Sequence, residues 1–375
     1  MTEAIAIVAL SGRALAQSAR RGGMRSTVLD MFADKDTQAV ADRVVRLVQN
    51  NQVLNSLSLQ RCLQNLPETV ARRGLVYGAG LDRLTDVIAA WGERYPVYGN
   101  CQEVVRCANN PRQFFALLAA LNIPFPETCF APPRKNISDW LVKKQCSSGG
   151  GHVQQFDPLQ HYNSDIYFQK FVNGTAVSLL FLADGHRIQT VGFNTQWVTG
   201  QKKKPFQYQG AINRVNLSSD QRMEILDYAE KLTAVLNLKG LNTLDCVASA
   251  DNINVLELNP RPGATLELYD QDVTTGLLRQ HIEACQGKLP ANDNRFLSPV
   301  RAHQIIYAVS PVLIPDGFHW PDWASDRPAG GQIIAAGCPI CSVTADGEVE
   351  ATVTEKLQAR RQFLLAQLQQ SRRVA

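Results

Sequence analysis

Apolar residues fall into short unbroken runs along the first hundred positions, separated by amphipathic stretches. Ile5-Ala-Ile-Val-Ala-Leu10 is apolar throughout, the pattern of a parallel strand covered on both faces. Ser11-Gly12-Arg13 reads as a tight turn and residues 14–21 as a helix that Gly22-Gly23 closes. Thr27-Val-Leu-Asp30 predicts the next strand, residues 38–50 a helix, and Gly74-Leu-Val-Tyr-Gly78 another strand. A helix over 81–91 and a short strand over 95–98 complete a Rossmann-like α/β unit that closes near residue 100. No GxGxxG follows the first strand, so this unit reads as structural rather than dinucleotide-binding.

The rhythm then changes. Pro111 suits the first position of a helix, where its missing N–H costs little, and Phe114, Phe115, Leu117, Leu118 and Leu121 form one apolar face. Short strands are expected at 140–143, 166–172, 176–182 and 187–193, with Asn173-Gly174 and Asp184-Gly185 as hairpin turns. Residues 218–237 predict a helix capped by Ser218 or Ser219, residues 243–259 a hairpin, and residues 276–285 a helix. Beyond Pro290 a strand over 300–310, a loop over 315–331, strand and turn over 331–349 and an amphipathic helix over 354–370 are expected.

Composition narrows the classes. Hydrophobic residues make up 45% of the chain and charged residues 19%, as in ordinary globular proteins. A net charge of +4, spread along the chain, gives no footprint for nucleic acid. Ile5–Leu10 is too short for a signal or a span, and no segment approaches the roughly 20 apolar residues of a membrane helix. Nine cysteines, an odd count without a framework, point to reduced thiols in the cytoplasm. Cys338-Pro-Ile-Cys341 has no second ligand pair nearby, so ordinary thiols are expected there rather than zinc or redox use.

Candidate chemistry concentrates in Thr243-Leu-Asp245-Cys-Val-Ala-Ser249, a turn at Ala250-Asp251-Asn252, and Ile253-Asn-Val-Leu-Glu257-Leu-Asn259. A hairpin symmetric about Asp251 sets residue 245 opposite residue 257 and puts Glu257 and Asn259 on one face. Facing carboxylates repel unless a cation lies between them, and oxygen ligands of this kind suit Mg²⁺. A salt-bridged or exposed edge strand is the alternative that the local sequence leaves open. Asn259-Pro-Arg261-Pro-Gly263 adds an arginine in a stiffened turn, where a guanidinium can hold a transferring phosphoryl group.

In this order and spacing the residues resemble the ATP-grasp superfamily. The resemblance implies ATP and Mg²⁺ as cofactors, with Mn²⁺ as an alternative metal, and Asp245, Glu257 and Asn259 as metal ligands. It implies Lys143, in Trp140-Leu-Val-Lys143-Lys144, as a phosphate contact, and Lys143 and Arg261 as the groups that support catalysis. Ser147, Ser148, Gly149, Gly150 and Gly151 match the family's glycine-rich phosphate lid, with His152 as either a lid contact or an exposed loop histidine. Gln169, Lys170 and Val172, before Asn173-Gly174, match the hinge that meets adenine.

The chain departs from the family at two places. The lysine expected near Asn110-Pro111 is missing, with Arg112 as a substitute, and the acidic group after the hinge glycine is replaced around Thr175-Ala176. The implied architecture is an α/β (α+β) ATP-grasp fold. It comprises a Rossmann-like preATP-grasp domain over 1–100, the ATP-grasp domain over 101–290 and a β-rich carboxyl-terminal cap with a terminal helix over 291–375. The implied reaction joins a small-molecule carboxylate to an amine through an acyl phosphate. Within the superfamily the chain resembles stand-alone ligases such as tyramine–glutamate ligase and proteins of one-carbon (methanopterin and methanofuran) cofactor pathways. No nucleic-acid or membrane partner is implied, and association as a homodimer is left open. An ATP-grasp phosphotransferase and a non-catalytic nucleotide-binding protein are the two alternatives.

Overall fold

The computed structural model describes residues 4–50, 53–250, 252–291 and 299–374. Strands β1 (Ala4–Ala9), β2 (Arg25–Asp30), β3 (Arg43–Arg46), β4 (Leu75–Tyr77) and β5 (Val97–Tyr98) form a parallel sheet in the order β3-β2-β1-β4-β5. Ile7, Val8, Val28 and Val76 are fully buried, which is why β1 is apolar on both faces. Helix α1 (Arg13–Arg21) covers one face and ends at Gly22, followed by Gly23 at φ 70°.

Residues 38–50 are not the expected helix. A short helix, Lys35–Val40, stops at Ala41, and Val44 and Val45 pair with Val28 and Leu29 as β3. Two adjacent β-branched residues beside an open sheet edge favour the ladder over a weak helix. The helix expected from residue 81 begins at Thr85, because buried Leu81 and Leu84 belong to the preceding turn.

Strands β6 (Thr128–Cys129), β7 (Trp140–Lys144), β8 (Gln154–Gln155) and β9 (Ile166–Lys170) form a small antiparallel sheet, β8-β7-β9-β6. Trp140, Val142, Phe156 and Phe168 make its core. The large sheet contains β10 (Thr175–Asp184), β11 (Ile188–Val198), β12 (Tyr208–Ile212), β13 (Lys239–Ala248), β14 (Ile253–Asn259), β15 (Val300–Tyr307), β16 (Ala324–Ser325) and β17 (Pro339–Gly347). Its order is β14-β13-β10-β11-β12-β15-β17-β16, antiparallel throughout, so residues 300–347 extend the same sheet as residues 175–259.

Asp184-Gly185 closes the β10–β11 hairpin, with Gly185 at φ 100°. Asn173-Gly174 does not close a hairpin. Strands β9 and β10 lie in different sheets, and this dipeptide is the crossing between them. Gly174 is required there by contact, since a Cβ would sit 2.5 Å from the Ala248 carbonyl oxygen.

Helix α2 (Ser219–Leu236) starts at a capping box between Ser218 and Gln221 and ends at Asn237 in the left-handed region. Ile225, Tyr228, Ala229 and Leu232 bury its inner face against Leu179, Phe181 and Leu244. On the sheet's other face, helix α3 (Leu277–Cys285) joins α1 around Leu180, Leu182 and Leu241. Helix α4 (Glu350–Val374) packs Val353, Leu357, Leu364 and Leu368 on β15 and β17. Each such side chain contributes roughly 1.5–3 kcal/mol on burial. Cys341 is buried and Cys338 half-buried on or beside β17. No helix among the described residues is long and apolar enough to cross a membrane.

Candidate functional site: a crevice between two antiparallel sheets

A crevice of about 620 Å³ separates the small sheet from the large one and reaches the carboxyl ends of β1 and β4 at Leu10 and Ala79. Its floor is the β13–β14 hairpin. Thr243 pairs with Asn259, Leu244 with Leu258 and Asp245 with Glu257, as the symmetric hairpin predicts. Nearer the turn the register differs by one: Cys246 pairs with Val255 and Ala248 with Ile253. Asp251, the expected centre, lies outside the described residues.

A bulge at Leu256 reconciles the two registers, and the reason is packing. Ile253, Val255, Leu258, Leu244, Cys246 and Ala248 all enter one core. Strict alternation from Ile253 and Val255 would send Glu257 and Asn259 into that core as well. The extra residue turns both onto the crevice face beside Asp245.

The acidic pair is held by donors. Asp245 Oδ1 accepts from Gln196 Nε2 at 2.9 Å, and Asp245 Oδ2 accepts from Asn259 Nδ2 at 2.9 Å. The same Asn259 nitrogen donates to Glu257 Oε1 at 3.0 Å. Burial, then the facing Glu257 carboxylate, pushes the Asp245 carboxyl well above its usual range. A divalent cation bound by Asp245 and Glu257 would relieve that repulsion, and Asn259 would join it as an oxygen ligand with its amide turned over, because Nδ2 faces the carboxylates and Oδ1 faces Arg261. The donor set, all oxygen and open to further ligands, fits Mg²⁺ or Mn²⁺.

Arg261 continues the chain of contacts. Its Nη2 donates to Asn259 Oδ1 at 2.9 Å, and its Nε lies 3.4 Å from Asp82 Oδ1. The guanidinium is 7% exposed, so its orientation is fixed by these two partners.

Across the crevice, β7 presents Lys143, whose Nζ donates to Gln169 Oε1 at 2.6 Å; Gln169 Nε2 then donates to Thr128 Oγ1 at 3.0 Å. An amide is a weak partner for a half-buried ammonium. Burial lowers the Lys143 pKa to about 8, against the opposing pull of Glu257. An ammonium aimed into a cavity with only a neutral partner is a site prepared for an anion.

Residues 145–153 form the lid. Arg83 fixes its base by donating to the carbonyls of Cys146 at 2.8 Å and Gln145 at 3.0 Å. Tyr208 N donates to Gly149 O at 2.8 Å, which docks the lid on β12. Gly150, at φ 67°, lies so near Phe206 O that a Cβ would come within 2.0 Å. Ser147, Ser148, Gly149 and Gly150 line the crevice; Gly151 instead faces Lys204 and Gln207. His152 also lines the crevice and is half-buried, not exposed; burial drives its pKa down to about 4, so the ring is neutral.

At the hinge, Gln169, Lys170 and Val172 all line the crevice. The Lys170 ammonium lies 3.7 Å from Glu127, and the Lys170 N–H donates to the Glu127 carbonyl at 2.8 Å. Arg112, the substitute for the missing lysine, stacks over Phe130 at 4.0 Å and is not among the crevice walls. Sequence reading missed Asp82 and Gln196, which orient Arg261 and Asp245. Asp82 follows the glycine-marked end of β4 and was the more legible of the two; Gln196 carries no signal in an otherwise ordinary strand.

A paired carboxylate floor, a half-buried lysine opposite and a glycine-rich loop above line one crevice. Residues 108–265 match the family described as ATP-grasp domain. Tyramine–L-glutamate ligase of Methanocaldococcus jannaschii is 25% identical to this chain over 231 residues, which cover 60% of this chain and 65% of that protein. The carbamoyl phosphate synthase large chain of Thermoanaerobacter pseudethanolicus is 23% identical over 217 residues, 52% of this chain and 20% of that one. The chain thus spans about a fifth of the carbamoyl phosphate synthase large chains it matches.

Among solved structures, the biotin carboxylase domain of Hydrogenobacter thermophilus 2-oxoglutarate carboxylase, in complex with MgADP and bicarbonate, superposes with TM-score 0.73 at 11% identity. That likeness covers 95% of this chain and 89% of the other. N5-carboxyaminoimidazole ribonucleotide synthetase of Thermotoga maritima gives TM-score 0.68 at 14% identity, covering 96% and 98%. These likenesses show that nearly the whole chain shares the fold of those structures.

Proposed function

We propose that this protein is an ATP- and Mg²⁺-dependent ligase that joins a small-molecule carboxylate to an amine through an acyl phosphate. The observation that carries the reading is the line Glu257–Asn259–Asp245 with Arg261 hydrogen-bonded to Asn259, facing a half-buried Lys143 whose partner among the described residues is an amide. Asp245, Glu257 and Asn259 hold the metal. Lys143 and the lid amides of residues 147–150 hold the phosphates, and the hinge at Gln169, Lys170 and Val172 meets the adenine. Arg261 stabilises charge on the transferring phosphoryl group.

The reaction needs little proton transfer in its first half, so positioning and charge supply most of the effect. The name of the M. jannaschii relative describes an amine joined to an amino acid, which supports an amide product here. The test is a panel of carboxylates and amines scored for ADP release, with mass spectrometry of the products. An amide together with ADP and phosphate supports ligation. A phosphorylated product in place of an amide points to phosphotransfer, and no ADP release with any pair argues against the reading.

A further inference from the structure

A second cavity, of about 500 Å³, adjoins the crevice. It lies among the carboxyl ends of β4 and β5, the helices Thr85–Gly92 and Gln102–Asn109, and the start of β13. Its size falls within the roughly 300–1,000 Å³ of small-molecule sites. Asp82 and Arg261 are the two residues that line both spaces. Asp245, Glu257, Asn259, Lys143 and the lid line the crevice alone, so an occupant of the second cavity meets the nucleotide site only through this ion pair.

The walls say what fits. Leu81, Ile88, Val97, Val105 and Leu236 make them largely apolar, and four charged residues interrupt that lining. The Arg261 guanidinium is already held by Asn259 and Asp82. Glu103 stands exposed at the rim, and its carboxylate turns back to its own backbone N–H. Asp82 and Lys239 remain. Asp82 is half-buried, and its one ion pair among the described residues is the 3.4 Å contact with Arg261 Nε. A strong charge-assisted bond runs about 2.7–2.9 Å, so this carboxylate has capacity to spare. Lys239 is half-buried and forms no ion pair among the described residues. Burial raises the Cys285 thiol to about 12 and the Lys239 ammonium opposes that shift, which sets the charge beside this cavity wall. A spare carboxylate, an unpaired ammonium and an apolar lining suit a small zwitterion with a hydrocarbon body.

We propose that this cavity is a regulatory site for an amino acid with an apolar side chain, which lowers the affinity of the crevice for Mg²⁺-nucleotide. The ligand's ammonium competes with Arg261 for Asp82, and its carboxylate meets Lys239. Arg261 then keeps Asn259 alone and loses one of the two contacts that orient it. The ligand is not a reactant, and no bond is made or broken. The effect on nucleotide affinity rests on the nucleotide reading above; the occupancy of the cavity does not. The coupling is mutual, so Mg²⁺-ATP weakens the amino acid by the same factor.

Calorimetry tests both halves, with L-leucine and L-phenylalanine as probes. At least one is expected to bind the wild type, and saturation with it to raise the Kd of Mg²⁺-ATP about fivefold or more. Phenethylamine and 3-phenylpropionate each lack one charge and are expected to bind about tenfold more weakly than phenylalanine. Ala89→Trp fills the cavity from a half-buried helix position. It is expected to abolish amino-acid binding and to leave Mg²⁺-ATP affinity, measured without the amino acid, within about twofold of wild type. Lys239→Met removes the ammonium without filling space, so it serves if the tryptophan variant does not fold. It is expected to weaken phenylalanine about tenfold and to leave phenethylamine unchanged. A wild type that binds neither amino acid overturns the proposal, as does binding that survives unchanged in both variants. So does a Kd for Mg²⁺-ATP that saturating amino acid does not move, or an amino acid consumed into an amide with ADP release. A wild type that binds the amino acid but no Mg²⁺-ATP supports the cavity as a site and overturns the nucleotide reading instead.

Discussion

Lys143 is the residue whose surroundings make least sense without a ligand. Its folded-state pKa of about 8 lies below the ordinary lysine value of 10.5 because burial disfavours the charge. Between those values the unfolded chain binds the proton more tightly, so this lysine costs stability below about pH 8 and the cost fades as pH rises toward 10.5. Lys143→Met is therefore expected to raise the melting temperature of the nucleotide-free protein at pH 7 by about 1–3 °C. The same variant is expected to lose Mg²⁺-ATP binding, and wild-type affinity is expected to fall as pH passes about 8. Calorimetric melting and titration check both, and a variant that is less stable yet binds normally refutes the assignment. Sequence alone marks Lys143, Asp245, Glu257, Asn259 and Arg261 because they belong to spaced local patterns. Asp82 and Gln196 act through partners assembled only by the fold; the glycines at the end of β4 hint at Asp82, and no local pattern announces Gln196.

At the scale of elements, the lid and the hairpin show how small backbone devices place the chemistry. Gly150 combines φ 67° with a backbone oxygen where a Cβ would go. Gly150→Ala is expected to lift the lid from Phe206 and Tyr208, weaken Mg²⁺-ATP binding about tenfold or more, and leave the melting temperature of the apo-protein nearly unchanged. Limited proteolysis of residues 145–153 with and without nucleotide reads this directly; unchanged protection by nucleotide would contradict it. The hairpin's pairing of Asp245 with Glu257 was legible as symmetry about Asp251, although the strands nearer the turn pair one residue off it. The Leu256 bulge was not, since it arises from a conflict between core-facing Val255 and crevice-facing Glu257 that appears only once both faces exist. The β3 strand was illegible for a related reason: its two valines choose the ladder because a sheet edge is there to receive them.

Across the whole molecule, a buried ionic cluster ties the parallel sheet to the end of the large one. Arg13 donates to Asp326 at 2.9 Å and to Glu267 at 2.7 Å, while Asp36 accepts from the backbone of Asp326 and Arg327. Arg13 holds the Asp326 carboxyl down at about 2 despite burial. A depressed aspartate contributes stability that is full above its unfolded value near 3.8 and is lost as pH falls through about 2. Arg13→Met leaves Asp326 and Glu267 buried without their cation and is expected to cost about 3–5 kcal/mol, read by denaturant unfolding; a loss below about 1 kcal/mol contradicts the arrangement. The succession of strands followed from the apolar runs, but their division into two sheets with a crevice between them did not, since Asn173-Gly174 read as a hairpin turn. This clasp between residues 13 and 326 joins positions too distant in sequence for any pattern to connect. The central claim, that the β13–β14 hairpin binds nucleotide through a metal, is tested most directly by titrating ATP into wild type and Glu257→Gln with and without Mg²⁺. The account predicts Mg²⁺-dependent binding to the wild type, weakened about a hundredfold in the variant; equal binding by the two proteins, or binding indifferent to Mg²⁺, would contradict it.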